Sequence, residues 1–128
     1  MNIAFFCIFF ASILPILFIG FAKFTGGFKL GNNHDPRKFL AKAEGKQYRA
    51  KCAHDNSWEA FGPFAAAVIL ATISSVSQPL IDNLALCFIG ARVFYGISYI
   101  LDLPSIRSLL YFIAITCVVA LFYLSWSA

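Results

Sequence analysis

The sequence predicts an all-α integral membrane protein, a four-helix bundle whose four transmembrane helices form one domain over residues 1–128. Composition is the first reason, because 60% of the 128 residues are hydrophobic, 12% are charged and the mean hydropathy is +0.77. Soluble domains carry about 25% charged residues, and a small one exposes too much of its surface to hide so many apolar side chains. The second reason is that the apolar residues form four runs, each close to the ~20 residues that a helical span needs.

Polar segments and prolines set the predicted limits of the spans, at about residues 1–23, 47–77, 82–101 and 104–126. We expect the first run to be a retained span rather than a signal peptide, because nothing basic precedes it and it stays rich in Phe and Ile to its end. The second helix should bend at Pro63 and end near Ser77. In the loop over 24–46, Asp35 can cap a short helix that has Pro36 at its first position, and that helix then either runs on or breaks at Gly45.

The basic residues predict the orientation of the chain. Eight of the ten Lys and Arg residues lie between Lys23 and Lys51. Cytoplasmic loops carry an excess of Lys and Arg, so the 24–46 loop should be cytoplasmic and both termini should lie outside. Cations this localised do not form the broad basic surface of a nucleic-acid-binding protein.

Metal binding and histidine catalysis are both disfavoured by the spacing of the relevant residues. The cysteines at 7, 52, 87 and 117 show no CxxC pattern, and His34 and His54 have no ligand spacing with them. A lone histidine at a membrane edge, such as His54, is more often a hydrogen-bonded polar residue than a catalytic base. No metal site is therefore predicted.

Ionisable residues that interrupt the spans are the strongest functional signal. A charge at the membrane centre costs about 2.5–3.5 kcal/mol on insertion scales, so Glu59 and Arg92 should face protein or a water-filled cavity. Helical spacing puts further polar residues on the same faces. The predicted polar layer at the cytoplasmic side comprises Arg49, Asn56, Glu59, Arg92, Tyr95, Tyr99, Arg107 and Tyr111.

Two interpretations of this layer remain open. Polar residues in spans often join helices to one another, and a Glu59–Arg92 pair would be one such contact. The full set of cations, acceptors and phenols also suits a small polyanionic ligand with carboxylates and amides. An arginine beside a thiol would favour the thiolate, because a nearby positive charge stabilises the ionised form.

Two segments resemble signatures of a known family. Residues 49–65 read RAKCAHDNSWEAFGPFA, and residues 91–111 read ARVFYGISYILDLPSIRSLLY. They resemble the second-helix signature and the Arg-x-x-Tyr-x-x-x-Tyr signature of the MAPEG family, the membrane-associated proteins in eicosanoid and glutathione metabolism. The loop sequence NNHDPRKFL is similar to that of short bacterial members. The resemblance extends over the whole chain in length and span layout.

The resemblance implies a fold, a ligand and an assembly. Members form homotrimers of four-helix subunits and bind glutathione between subunits near the cytoplasmic side, while a lipophilic small-molecule substrate enters from the lipid bilayer. Matched positions imply that glutathione would contact Asn56, Glu59, Arg92, Tyr95, Tyr99 and nearby Tyr111. Arg107 would stabilise its thiolate, with Ser108 beside it. A short bacterial member would be a multi-pass protein of the inner (plasma) membrane.

The second helix differs from the pattern of eukaryotic family members, and two hypotheses about the function therefore stay open. Cys52 and Asp55 stand where eukaryotic members have arginines that hold glutathione's carboxylates, and Arg49 and Lys51 would have to substitute for them. One hypothesis is a glutathione-dependent transferase or peroxidase acting on small lipophilic electrophiles. The alternative is a non-enzymatic membrane scaffold or binding subunit. An ion transporter is a weaker third class, because the sequence offers no obvious aqueous path.

Overall fold

The computed structural model describes residues 2–128, and that part of the chain is helical without any strand. Four long α-helices and one short one make up this part of the chain, as the sequence predicts for an all-α fold. The helices are α1 (Ile3–Thr25), α2 (Pro36–Ala41), α3 (Gly45–Ile73), α4 (Gln78–Ile100) and α5 (Pro104–Ser127), with a 3₁₀ turn over Leu30–His34.

Three of the described helices are long and apolar enough to cross a membrane: α1, α4 and α5, with 23, 23 and 24 residues. This supports a lipid bilayer as the environment of the protein. Helix α3 is longer, at 29 residues, but charged and amide side chains occupy much of its first half and it becomes continuously uncharged only after Glu59. Three of the four predicted spans are therefore supported as membrane helices, and a membrane span at α3 stays a prediction.

Long helices alternate in direction, which gives the bundle two distinct ends. Asn2, the N-cap of α1, lies against Gln78 of α4 at the end that carries the 74–77 turn. Ala22 of α1, Leu40 of α2 and Ala50 of α3 pack together at the other end. We call this second end, which carries the 26–44 connection, the loop end.

The predicted cap at Asp35 is confirmed. The Asp35 carboxylate accepts a hydrogen bond from the Lys38 backbone N–H at 3.0 Å, and Pro36 opens α2. The helix does not run on toward the membrane, because it ends at Ala41 and Gly45 has a φ of 56° at the start of α3. A positive φ is easily adopted by glycine and breaks helical continuity.

Helix α3 ends at Ile73, earlier than the predicted end near Ser77. Ser75 takes a φ of 60°, and the Val76 N–H bonds back to the Ala71 carbonyl at 3.1 Å. This is a Schellman end, which usually uses glycine at the left-handed position. A serine in that position leaves no sequence signal, and so the earlier end was not foreseen.

Small residues let the long helices approach closely. Helix α3 contacts α1, α4 and α5, and alanines make up much of the buried core, with Phe64 and Phe88 stacked at a centroid distance of 3.9 Å. Large apolar side chains such as Phe9 and Phe112 are more than half exposed on the outside of the bundle. Small residues between helices and large ones outside are the pattern of a bundle packed in lipid.

Substituting Gly96 should destabilise the bundle, because a larger residue there would collide with α1. A Cβ at Gly96 would collide with the ring of Phe18, whereas a Cβ at Gly90 on the same helix would meet nothing. We expect Gly96→Ala to lower the free energy of unfolding by about 1–3 kcal/mol, as overpacked cores do. Gly90→Ala, the matched control, should leave stability unchanged or slightly raised. Thermal unfolding in detergent measures both, and an equal effect of the two substitutions would refute this contact as a packing constraint.

Candidate functional site

Polar side chains from three helices meet in the half of the bundle nearer the loop end. We call this set the polar cluster. It consists of Asn56, Ser57 and Glu59 from α3, Arg92, Tyr95 and Tyr99 from α4, and Arg107 and Tyr111 from α5. Most of the predicted polar layer is therefore brought together.

Arg92 is the buried centre of the polar cluster, with 2% of its surface exposed. Its Nη2 donates to Asn56 Oδ1 at 2.9 Å and to Ser57 Oγ at 3.4 Å. The guanidinium carbon also lies 4.2 Å from the centroid of the Tyr95 ring. A buried charge is tolerated when it is hydrogen-bonded, and these three groups supply that compensation.

Glu59 does not pair directly with Arg92, which corrects the expected ion pair between these two described residues. Asn56 lies between them, because its Nδ2 donates to Glu59 Oε2 at 3.1 Å while its Oδ1 accepts from Arg92. An amide has both a donor and an acceptor, so Asn56 can link a cation to a carboxylate. The Glu59 carboxylate is thereby held on an exposed part of the helix.

The phenols and the second arginine form the side of the cluster nearest the loop end. The Tyr95 ring packs against Tyr99 at 5.8 Å and against Tyr111 at 6.5 Å between centroids. The guanidinium carbon of Arg107 lies 4.4 Å from the Tyr99 ring centroid. Arg107 is half-buried, whereas Arg92 is enclosed. Of the two arginines in the cluster, Arg107 is thus the more accessible.

Two predicted site residues lie outside these contacts. Arg49 donates from Nε to the Ile100 carbonyl at 3.0 Å and thereby gives a hydrogen-bond partner to a backbone carbonyl at the C-terminus of α4. Ser108 is exposed beside Arg107 on α5. Neither side chain contributes to the hydrogen bonds and stacked rings that hold the polar cluster together.

An open cleft of about 110 Å³ adjoins the polar cluster. Asn56, Glu59, Arg92 and Tyr111 line its polar part. The remaining walls are apolar and consist of Ala60, Pro63, Phe88, Ala114, Ile115 and Val118. A group bound here would meet charge and hydrogen-bonding atoms on one side and hydrocarbon on the other.

Sequence reasoning missed two polar positions. Ser57, which is 4% exposed, donates its own proton to the Ala53 carbonyl at 2.7 Å while facing Arg92. Asp82, near the opposite end of the bundle, accepts from the Ala4 N–H at 2.9 Å and from Gln78 Nε2 at 2.8 Å. An isolated carboxylate at the start of an apolar run was the available signal for Asp82.

His54 forms a hydrogen bond within the bundle, as its position in the sequence predicts. Its Nδ1 lies 2.8 Å from the Pro15 carbonyl of α1. A carbonyl only accepts hydrogen bonds, so Nδ1 carries the proton in this contact. The ring therefore joins α3 to α1 and is not among the residues that line the cleft.

The fold and the site define a helical membrane protein with a charged, aromatic cluster inside its bundle. The family model for the MAPEG family matches residues 3–126, nearly the whole chain. The chain therefore belongs to the MAPEG family. No curated protein and no solved structure matches it.

Removing the Asn56 amide should destabilise the protein, because the buried Arg92 would lose a hydrogen-bond acceptor. We expect Asn56→Ala to lower the free energy of unfolding by about 1.5–3 kcal/mol, the usual loss for a hydrogen bond to a charged group. Asn83→Ala is the matched control, since Asn83 is exposed on α4. Thermal unfolding in detergent compares the two variants. If both variants were as stable as the wild type, Asn56 would not be the group that compensates Arg92.

Proposed function

We propose that this MAPEG protein is a membrane-bound, glutathione-dependent transferase or peroxidase that acts on small lipophilic electrophiles. The observation that carries the proposal is the polar cluster itself: two guanidinium groups, three phenols, an amide and a carboxylate beside a cleft that becomes apolar. Glutathione offers carboxylates, amides, an ammonium group and a thiol. Arginines bind carboxylates well because their N–H groups match both oxygens.

In this proposal Arg107 acts on the thiol. Its half-buried position over Tyr99 leaves its charge accessible beside the cluster. A positive charge within a few ångströms stabilises the thiolate and lowers the thiol pKa by about 1–3 units. The thiolate is the reactive nucleophile, and the thiol proton passes to water when it forms. With a chloro-nitrobenzene, the sulfur forms a bond to the ring carbon, the carbon–chlorine bond breaks and chloride leaves.

Glutathione would be held by residues on α3 and α4. The exposed carboxylate of Glu59 is a partner for the ammonium group, and the Asn56 amide lines the same cleft. Arg92 also lines the cleft, and Tyr95 and Tyr99 extend the cluster toward Arg107. The lipophilic substrate would reach the apolar walls of the cleft from the bilayer.

The volume of the cleft favours a site completed by another copy of the chain. At about 110 Å³ it is smaller than the roughly 300–1,000 Å³ of most small-molecule pockets. We propose a homotrimer in which a neighbouring subunit supplies the rest of the glutathione site. A cytoplasmic loop in a bacterial inner membrane would let water-soluble glutathione enter from the cytoplasm.

A second candidate is a non-enzymatic binding or scaffold subunit of the same fold. Arg49 is engaged with the Ile100 carbonyl, and Asp55 forms an ion pair with Lys51 at 3.1 Å. Arg92 is also hydrogen-bonded within the bundle. These contacts leave fewer free cations for the carboxylates of glutathione, which favours a structural role for part of the cluster.

Replacing Arg107 tests the catalytic proposal. We expect Arg107→Ala to lower kcat/KM for conjugation of glutathione to a chloro-nitrobenzene about tenfold or more, because the thiolate fraction falls when its pKa is no longer lowered. The loss should shrink as pH rises, so the pH–rate profile moves to higher pH. Arg107→Lys should retain part of the activity. Arg37→Ala, at an exposed arginine of α2, is the control. Equal rates for Arg107→Ala and wild type would exclude this role.

Ligand-dependent stability separates the two candidates. A ligand that binds the folded state at 100 times its Kd stabilises it by about 2.7 kcal/mol. Millimolar glutathione should therefore raise the unfolding temperature of the purified protein, whereas glycylglycine at the same concentration should not. A shift without conjugation would favour the binding subunit, and the absence of a shift would count against glutathione as the ligand.

A further inference from the structure

A second charged region lies outside the polar cluster, on the segment between α1 and α3 and on the first turn of α3. We call it the basic surface, and its members are all exposed: Lys29, Arg37, Lys38, Lys42 and Lys46. The same segment carries only two acidic residues, Asp35 and Glu44. The surface is therefore strongly positive over a short stretch of chain.

In the described residues, none of the cations of the basic surface forms an ion pair with a carboxylate. In the described residues, the ion pairs all use the Asp55 carboxylate, which lies on α3 outside this surface. One oxygen of the Asp35 carboxylate accepts a hydrogen bond from the backbone N–H of Lys38, and its single negative charge is smaller than the five positive charges of the surface. Positive charge without internal partners is available to an external anion.

The basic surface is held in place at the end of a membrane span. Leu40 of α2 is buried against Ala22 and Ala50, and the rings of Phe28 and Phe39 meet edge to face at 5.1 Å. These contacts fix α2 beside the last turn of α1. The lysines therefore lie next to the end of a candidate membrane span.

Exposed apolar side chains accompany the cations. Phe24, in the last turn of α1, is 86% exposed, and Leu30, inside the polar connection, is 94% exposed. A basic face with apolar side chains beside it is the composition of segments that lie in a membrane interface. The connection thus combines attraction to anions with insertion into the boundary of the acyl chains.

A shallow hollow gives the basic surface a place for a headgroup. It has a volume of about 260 Å³ and lies between the 3₁₀ turn and α2, with His34, Lys38 and Lys42 on its walls. Asp35 also lines it, with its Oδ1 bonded to the backbone. Lysine and histidine N–H groups are donors for phosphate oxygens.

We propose that the basic surface binds the headgroups of anionic phospholipids in the leaflet that the loop faces. Basic clusters directly beside a membrane span attract such lipids, with about a fivefold change in binding for each cation. Neutral lipids share the acyl chains but lack the net charge. The protein should therefore be surrounded by more anionic lipid than the bulk membrane contains, independently of any glutathione binding.

Lipid enrichment tests the proposal directly. The full chain is reconstituted in vesicles of equal parts phosphatidylglycerol and phosphatidylcholine, extracted mildly, and the retained lipids are quantified by mass spectrometry. We expect the wild type to retain several-fold more phosphatidylglycerol than phosphatidylcholine. The triple variant Lys29→Gln, Lys38→Gln and Lys42→Gln keeps only Arg37 and Lys46 of the surface, so its preference for phosphatidylglycerol should be much smaller than that of the wild type. Raised salt should weaken the wild-type preference.

A charge-matched variant separates a local site from net charge. Ser75→Asp, Ser77→Asp and Ser127→Asp change the net charge equally, but at exposed positions at the other end of the bundle. This variant should keep the lipid preference. Equal retention of both lipids by the wild type, or equal loss of preference in the two triple variants, would overturn the proposal. An unchanged lipid ratio together with an altered oligomeric mass in the lysine variant would instead assign the surface to contact between copies.

Discussion

Arg92 carries a positive charge into a bundle made largely of apolar side chains, and the arrangement of the site follows from how that charge is satisfied. Its partners are the Asn56 amide, the Ser57 hydroxyl and the Tyr95 ring. Because an unpaired buried charge costs far more than the paired one, α3 and α4 must meet at this level. The same contact orients Asn56, which in turn holds Glu59 at the cleft. One buried cation thus positions the acceptors around it.

A polar contact of the same kind aligns the other end of the bundle. Asp82 of α4 satisfies the N–H of Ala4 in α1, and Gln78 bonds both Asp82 and Asn2. Between the two ends, the core consists mainly of alanines and other apolar side chains, which make no directional contacts. Buried polar contacts are directional, so we infer that these two sets determine how the helices are aligned along their length.

The two arginines of the polar cluster have different surroundings and therefore suit different tasks. Arg92 is enclosed and hydrogen-bonded, and its replacement would disturb the bundle. Arg107 is half-buried and rests on the Tyr99 ring, so its N–H groups are freer to meet a ligand. In the proposed enzyme, one guanidinium organises the site and the other acts on the thiol. In a binding subunit, the organising role alone would remain.

The sequence by itself determined the helical class, the apolar runs, the Asp35 cap and the grouping of Arg92, Tyr95 and Tyr99 on one face. These depend on composition, local capping and the 3.6-residue period, which neighbouring residues decide. Only the tertiary structure decided that Asn56 stands between Glu59 and Arg92 and that Arg49 serves the end of α4. Those outcomes depend on the rotation and separation of helices distant in sequence, and a difference of one side-chain length changes which groups meet.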